Sequence, residues 1–170
     1  MAGNAKLKAL VVISTLVAMN VVLSRFLSVS AWNFKIGFGF APIAVCAFVY
    51  GPIPAAVAGA LADFIGATLF PIGPFFPGFT LSAALTGAVF GLFLHKRKGG
   101  AFQAVCAALV NCFAISLLLN TCWISALSGA PFLGLLPTRV AQSCVMAPVQ
   151  SVAMYAIIKY KRIFRTLEGG

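Results

Sequence analysis

Residues 79–127 read FTLSAALTGAVFGLFL, then HKRKGG, then AFQAVCAALVNCFAISLLLNTCWISAL. Two apolar runs, 79–94 and 101–127, flank a break that holds Lys96, Arg97, Lys98 and two glycines. At about 1.5 Å of rise per residue, about 20 helical residues cross the ~30 Å hydrocarbon core of a bilayer. The second run exceeds that length without a charged side chain. Backbone amides enter hydrocarbon only when they bond one another, which makes helix the form such a run takes. The stretch therefore predicts two membrane-crossing helices joined by a short basic turn on one face.

The pattern extends in both directions. Four further apolar segments, 7–27, 36–50, 54–70 and 135–160, bring the total to six. Segment 36–50 is shorter than a perpendicular span, and 54–70 sits at the lower edge of the range, so locally thin bilayer or boundaries displaced by a few residues are expected there. The breaks carry turn chemistry, Gly51-Pro52-Ile53-Pro54 in one and Ser128-Gly129-Ala130-Pro131 in another. Composition agrees: 62% of residues are hydrophobic and 8% charged, where a soluble domain carries about 25% charged residues. No internal repeat is evident. The expected fold class is an all-α integral membrane protein, a six-transmembrane-helix bundle forming one domain over residues 1–170. A signal peptide is the other reading of the first segment, but Leu23-Ser24-Arg25-Phe26 makes a poor cleavage site, so it is read as a retained helix.

Twelve Lys and Arg residues face two acids, Asp63 and Glu168, for a net charge of +10. The basic residues cluster between apolar runs instead of striping a polar face, which argues against nucleic acid and for the positive-inside rule. With the N-terminus cytoplasmic, six crossings return the C-terminus to the cytoplasm. Lys6, Lys8, Lys96, Arg97, Lys98, Lys159, Lys161, Arg162 and Arg165 then share that face, nine of the twelve. Five or seven crossings would split the first and last clusters. The five cysteines lie in apolar segments without CxxC spacing, which argues against a disulfide framework and against a metal site.

Arg25, Lys35 and Arg139 fall outside that scheme, toward the opposite face. Lys35 reads as a side chain snorkelling to headgroups. Arg25 and Arg139, the latter placed in the first turn of the sixth segment, have apolar residues on both sides. Snorkelling and anion binding both remain open for them; a guanidinium fork suits carboxylates. Asp63 lies mid-helix in the third segment and must find a partner, either an Arg in a structural ion pair, a helix end to cap, or the N–H groups of a ligand. The loop Phe70-Pro71-Ile72-Gly73-Pro74-Phe75-Phe76-Pro77-Gly78-Phe79-Thr80 is stiffened by prolines and faced with phenylalanines. Beside outward-facing arginines it suits a flat aromatic ligand with an acidic tail; a membrane-dipping loop is the alternative. No P-loop, HExxH or GxSxG motif is present, so an intramembrane enzyme is poorly supported and any transport would draw energy from a partner. Ser14 and Ala18, four apart on the first helix, would let a partner helix approach closely.

At these residues the chain resembles the folate-specific substrate-binding subunits (S-components) of energy-coupling-factor transporters. The matching stretches are Asn20-Val21-Val22-Leu23-Ser24-Arg25-Phe26-Leu27-Ser28, then Ile36-Gly37-Phe38-Gly39-Phe40-Ala41-Pro42-Ile43 with Gly51-Pro52, then Ala62-Asp63 and the loop 70–81. Leu136-Pro137-Thr138-Arg139 with Pro148 and Gln150 is a weaker match. The resemblance implies a multi-pass subunit of the prokaryotic cell membrane with a substrate cavity opening outward. It implies docking through Ser14 and Ala18 on a transmembrane scaffold subunit coupled to two ATPase subunits; Ser14 stands where the family usually has Ala. It implies folate as ligand, with Phe70, Phe75 and Phe76 stacking on its rings and Arg25 or Arg139 facing its carboxylates or pterin oxygen. Asp63 would meet pterin donors, and Pro71, Gly73 and Pro74 of the loop complete the expected substrate-binding residues. No cofactor or metal is expected. The sequence Val140-Ala141-Gln142-Ser143 carries less charge after the Arg than the family leads one to expect. A subunit for another vitamin, such as a flavin or pantothenate, and a non-transport membrane scaffold are the alternatives.

Overall fold

The computed structural model describes residues 2–31, 34–71, 73–95 and 100–160, with the side chains of 2–5, 29–31 and 34–36 excepted. The basic clusters at 96–98 and 161–165, and Glu168, lie outside the described residues.

Helix α1 runs Ala2–Arg25, α2 Phe40–Tyr50, α3 Pro52–Leu69 and α4 Pro77–Leu94. A continuous helical rod follows: α5 (Ala101–Leu109), a π-helical segment (Val110–Leu119) and α6 (Asn120–Ser128). Helix α7 spans Phe132–Lys159. Five helices are long and apolar enough to cross a membrane, and α2 is a shorter apolar helix of 11 residues. Prolines start α3 and α4, where the missing N–H costs nothing and the fixed φ is already helical. Gly51 joins α2 to α3 at φ +93°, a conformation that a Cβ would strain.

Two expectations need correction. Residues 36–50 are not one apolar helix. Ser28–Ala31 (β1) and Phe34–Gly37 (β2) form an antiparallel hairpin, with Ser28 opposite Gly37 and Ser30 opposite Lys35. A Cβ on Gly37 would sit 2.6 Å from the Ser28 Cβ, so glycine lets the hairpin close against the end of α1. The sixth segment starts at Phe132, not 135, and Pro137 lies inside it. Arg139 is therefore about two turns deep, not in the first turn.

Alanine and glycine decide how closely the helices pack. Ala44, Ala47, Ala55, Ala58, Ala104, Ala107 and Ala108 are all fully buried, around Phe90, Leu94 and Met154. On α4, Gly87 lies against the Ala55 carbonyl and Gly91 against Pro52; on α3, Gly59 leaves 2.5 Å between a notional Cβ and the Ala83 oxygen. These contacts make α3 and α4 an antiparallel pair with touching backbones. Helix α1 is the opposite case: Leu7, Leu10, Val11, Met19 and Val22 are exposed along its length. Burial concentrates in one half of the bundle, and the other half encloses a cavity.

Candidate functional site

The cavity has a volume of about 500 Å³, within the usual ~300–1,000 Å³ of small-molecule sites. It lies at the end of the bundle where α1 and α3 finish and where α2, α4 and α7 begin. The hairpin contributes Gly37, α2 contributes Phe40 and Ile43, and the loop after α3 contributes Gly73, Pro74, Phe75 and Phe76. The π segment contributes Asn111, Cys112, Ile115 and Ser116. Its wider turn carries Asn111, Cys112 and Ile115 on a buried face, and π turns of this kind are frequent at functional sites.

Arg25 and Asp63 line one wall. The Arg25 Nη2 lies 3.9 Å from Asp63 Oδ1, and Thr80 donates its hydroxyl to Asp63 Oδ2 at 2.9 Å. Asp63 is thus tied to α1 on one side and α4 on the other, the ion-pair reading of the sequence. The pair is long and part-exposed, so Arg25 keeps donors for other use; its Nε has no hydrogen-bond partner. Gly66, one turn beyond Asp63, lets the guanidinium lie flat on α3: a Cβ there would come 2.7 Å from Arg25 Nε.

Arg139 faces the cavity from α7 at 6% exposure. Asp63 is the only acid among the described residues, and it is engaged by Arg25. Among the described residues Arg139 meets the Gln142 side-chain oxygen, at 3.5 Å, and its Nε has no hydrogen-bond partner. A buried guanidinium without a carboxylate is costly until an anionic or strongly accepting group arrives.

Polar side chains continue the cavity lining. Asn111 donates from Nδ2 to Gln150 Oε1 at 2.9 Å, and Thr86 Oγ1 lies 2.8 Å from Asn111 Oδ1. Trp123 donates its indole N–H to Ser82 Oγ at 3.1 Å, and Ser143 donates to the Cys112 carbonyl at 3.2 Å. Asn20 reaches from α1 to the Gly39 carbonyl at 2.7 Å, anchoring the start of α2. Phe76 packs on Trp123, with ring centroids 5.6 Å apart, and on Phe79 at 6.1 Å. Phe75 meets Phe64 edge-on at 5.8 Å. Phenylalanine rings, guanidinium groups and amides thus line one cavity, surfaces that suit a flat ring system with polar edges.

The structure gathers Arg25, Asp63, Gly73, Pro74, Phe75, Phe76 and Arg139 around this one cavity. Phe70 and Pro71 are not among its lining residues. Phe70, expected to stack on ligand rings, packs edge-on against Phe26 at 5.3 Å, because it caps α3 before the loop turns inward. Ser14 and Ala18 stand apart on the exposed side of α1.

The comparisons with known proteins fit this geometry. Residues 8–158 match the family model described as "ECF transporter, substrate-specific component". The chain is a member of that family. It is similar to the folate transporter FolT of Clostridium novyi (strain NT), at 31% identity over 91% of this chain and 90% of the relative. It is also similar to the folate transporter FolT of Leuconostoc mesenteroides subsp. mesenteroides, at 30% identity over 92% of this chain and 87% of that one. Among solved structures, a crystal structure of FolT bound with folic acid superposes with a TM-score of 0.86 at 31% identity, covering 90% of this chain and 93% of the other. The chain is therefore a multi-pass transport subunit of a prokaryotic plasma membrane.

Ser82, Thr86, Asn111 and Gln150 also line the cavity; sequence reasoning named none of them as a site candidate, Gln150 entering only as part of the weaker family match. Gln142, Ser143 and Gln150 follow Arg139 at three, four and eleven residues, the spacing of one helical face. Polar residues recurring on one face of an apolar helix are the signal that marked them.

Proposed function

We propose that this chain is the folate-binding S-component of an energy-coupling-factor vitamin transporter. The observation that carries the reading is Arg139, buried without an acid in a cavity faced by Phe75 and Phe76. The FolT likeness supplies the ligand that suits such a cavity. Folate combines a flat pterin, a benzoyl ring and a dianionic glutamate tail. Phe75 and Phe76 stack on the rings, while Arg25 and Arg139 meet carboxylates or the pterin oxygen. Asp63 serves first to hold Arg25 in place, with pterin donors a second use. Gly73 and Pro74 set the path of the loop that carries the two phenylalanines.

The single transmembrane substrate-binding domain crosses the membrane six times, α2 included, with both termini cytoplasmic and the cavity facing outward. Lys6, Lys8 and Lys159 are exposed at the end of the bundle away from the cavity, in keeping with the positive-inside rule. Energy comes from partners: a transmembrane scaffold subunit and two ATPase subunits. Exposed Ser14 and Ala18 give α1 a smooth strip on which a scaffold helix can seat.

Isothermal titration of the purified protein with folic acid, riboflavin and pantothenate tests the ligand. Tight binding of folic acid alone, lost in Arg139→Ala and weakened in Phe75→Ala, is expected. Preference for another vitamin, or unchanged affinity in both variants, contradicts the reading.

A further inference from the structure

A hydrogen-bond relay about three turns along α7 from Arg139 joins three helical elements. Thr86 on α4, Asn111 on the π segment and Gln150 on α7 all line the cavity and are joined in series. Amide groups can turn end for end, so what Gln150 shows the ligand depends on how Asn111 is held, and that depends on one hydroxyl proton. Thr86 Oγ1 has two acceptors in reach: the Ser82 carbonyl at 2.9 Å and Asn111 Oδ1 at 2.8 Å. Sent to Asn111, the proton fixes the Asn111 oxygen toward Thr86 and its Nδ2 toward Gln150 Oε1. The Gln150 Nε2 then faces the ligand as a donor. Sent to the Ser82 carbonyl, it lets both amides turn, and Gln150 would show an acceptor instead.

The first state is favoured. The Ser82 carbonyl already accepts the Thr86 backbone N–H as part of α4. In the structure Asn111 turns its Oδ1 toward Thr86 and its Nδ2 toward Gln150 Oε1, which is the first state. The Ser82 hydroxyl oxygen is occupied by the Trp123 indole.

The geometry points to Gln150 as a specificity residue, oriented by Asn111 and Thr86, that donates to a ring oxo group of the bound ligand and disfavours an amino group in its place. A neutral array of two carboxamides and hydroxyls suits the uncharged heteroaromatic head of the ligand better than a dianionic tail, which would need more than one cation. This inference rests on the folate reading and adds which end of the ligand lies at the Gln150 level of α7 and which chemical edge is read.

The test compares folic acid with its analogue carrying an amino group in place of the pterin oxo group, by competition binding to the purified full chain. A donor facing a donor in a buried site loses a hydrogen bond and leaves a group unmet, so wild type should prefer folic acid by about tenfold or more. Thr86→Val removes the proton that fixes Asn111 and should bring the ratio to within about threefold. Thr86→Ser keeps the hydroxyl and should restore the preference. Gln150→Met, close in volume, should abolish the preference by a second route. Wild-type binding of folic acid with the same ratio in Thr86→Val and Gln150→Met overturns the relay alone. Failure of wild type to bind folic acid overturns the ligand reading and the relay with it.

Discussion

Gly66→Ala places one methyl group beneath the Arg25 guanidinium and separates a binding role for that arginine from a packing role. The added Cβ would lie 2.7 Å from Nε, 3.1 Å from Nη2 and 3.3 Å from Cζ of Arg25. Ordinary contact distances are about 3.5–4.0 Å, so the guanidinium must lift by about 1 Å. No backbone lies among the nearest atoms, and a long side chain can move cheaply. Alanine in place of glycine inside a helix also gains about 1 kcal/mol of helix propensity. The fold should hold or gain slightly. Binding should not, because a hydrogen bond to a charged group contributes about 1.5–3 kcal/mol, or about 10- to 100-fold in affinity. Folic acid titration and thermal unfolding in detergent read the two effects separately. A double-mutant cycle with Arg25→Ala makes the comparison strict: once Arg25 is gone, Gly66→Ala should cost little more. Wild-type affinity in Gly66→Ala, or an equal penalty with and without Arg25, refutes the reasoning.

Arg139→Met should lower folic acid affinity by about 10- to 100-fold while leaving the melting temperature of the free protein unchanged or raised, since a buried uncompensated charge is removed; a marked loss of thermal stability would contradict the view that Arg139 awaits a ligand. Gly87→Ala drives a Cβ into the Ala55 carbonyl on a neighbouring backbone, and should cost about 1–3 kcal/mol of stability, seen as a lower melting temperature than that of Gly66→Ala. Ser14→Leu combined with Ala18→Leu adds bulk to the exposed side of α1. Folic acid binding by the purified chain should persist, while uptake by cells carrying the scaffold and ATPase subunits should fall sharply; normal uptake would remove α1 from the docking surface.

Much of the bundle was legible because hydrocarbon imposes long uncharged runs, and the loop 70–80 announced itself by its prolines and phenylalanines. The hairpin was not legible. Ile36 and Phe38 merged with the apolar run that follows, and short apolar runs do not distinguish strand from helix. Glycines at 37 and 39 were the available signal, since Gly39 faces Ser24 with 3.0 Å between a notional Cβ and the Ser24 Cβ. Arg25 and Arg139 stood out as charges among apolar neighbours, but Arg139 was placed too near the helix start because the sixth segment was begun at Leu135, whereas the helix already starts at Phe132. Thr86, Asn111 and Gln150 come from three elements, and their meeting depends on the π segment. No local pattern in the sequence announces a π turn. Phe70 misled because the loop composition does not say which of its rings turn inward.

The most direct measurement is mass spectrometry of the ligand that copurifies with the protein from membranes of folate-fed cells, run beside Arg139→Met. A folate should be recovered at close to one per chain from the native protein and be largely lost from the variant. An empty native protein, or a different vitamin retained equally by both, would contradict the assignment of this cavity.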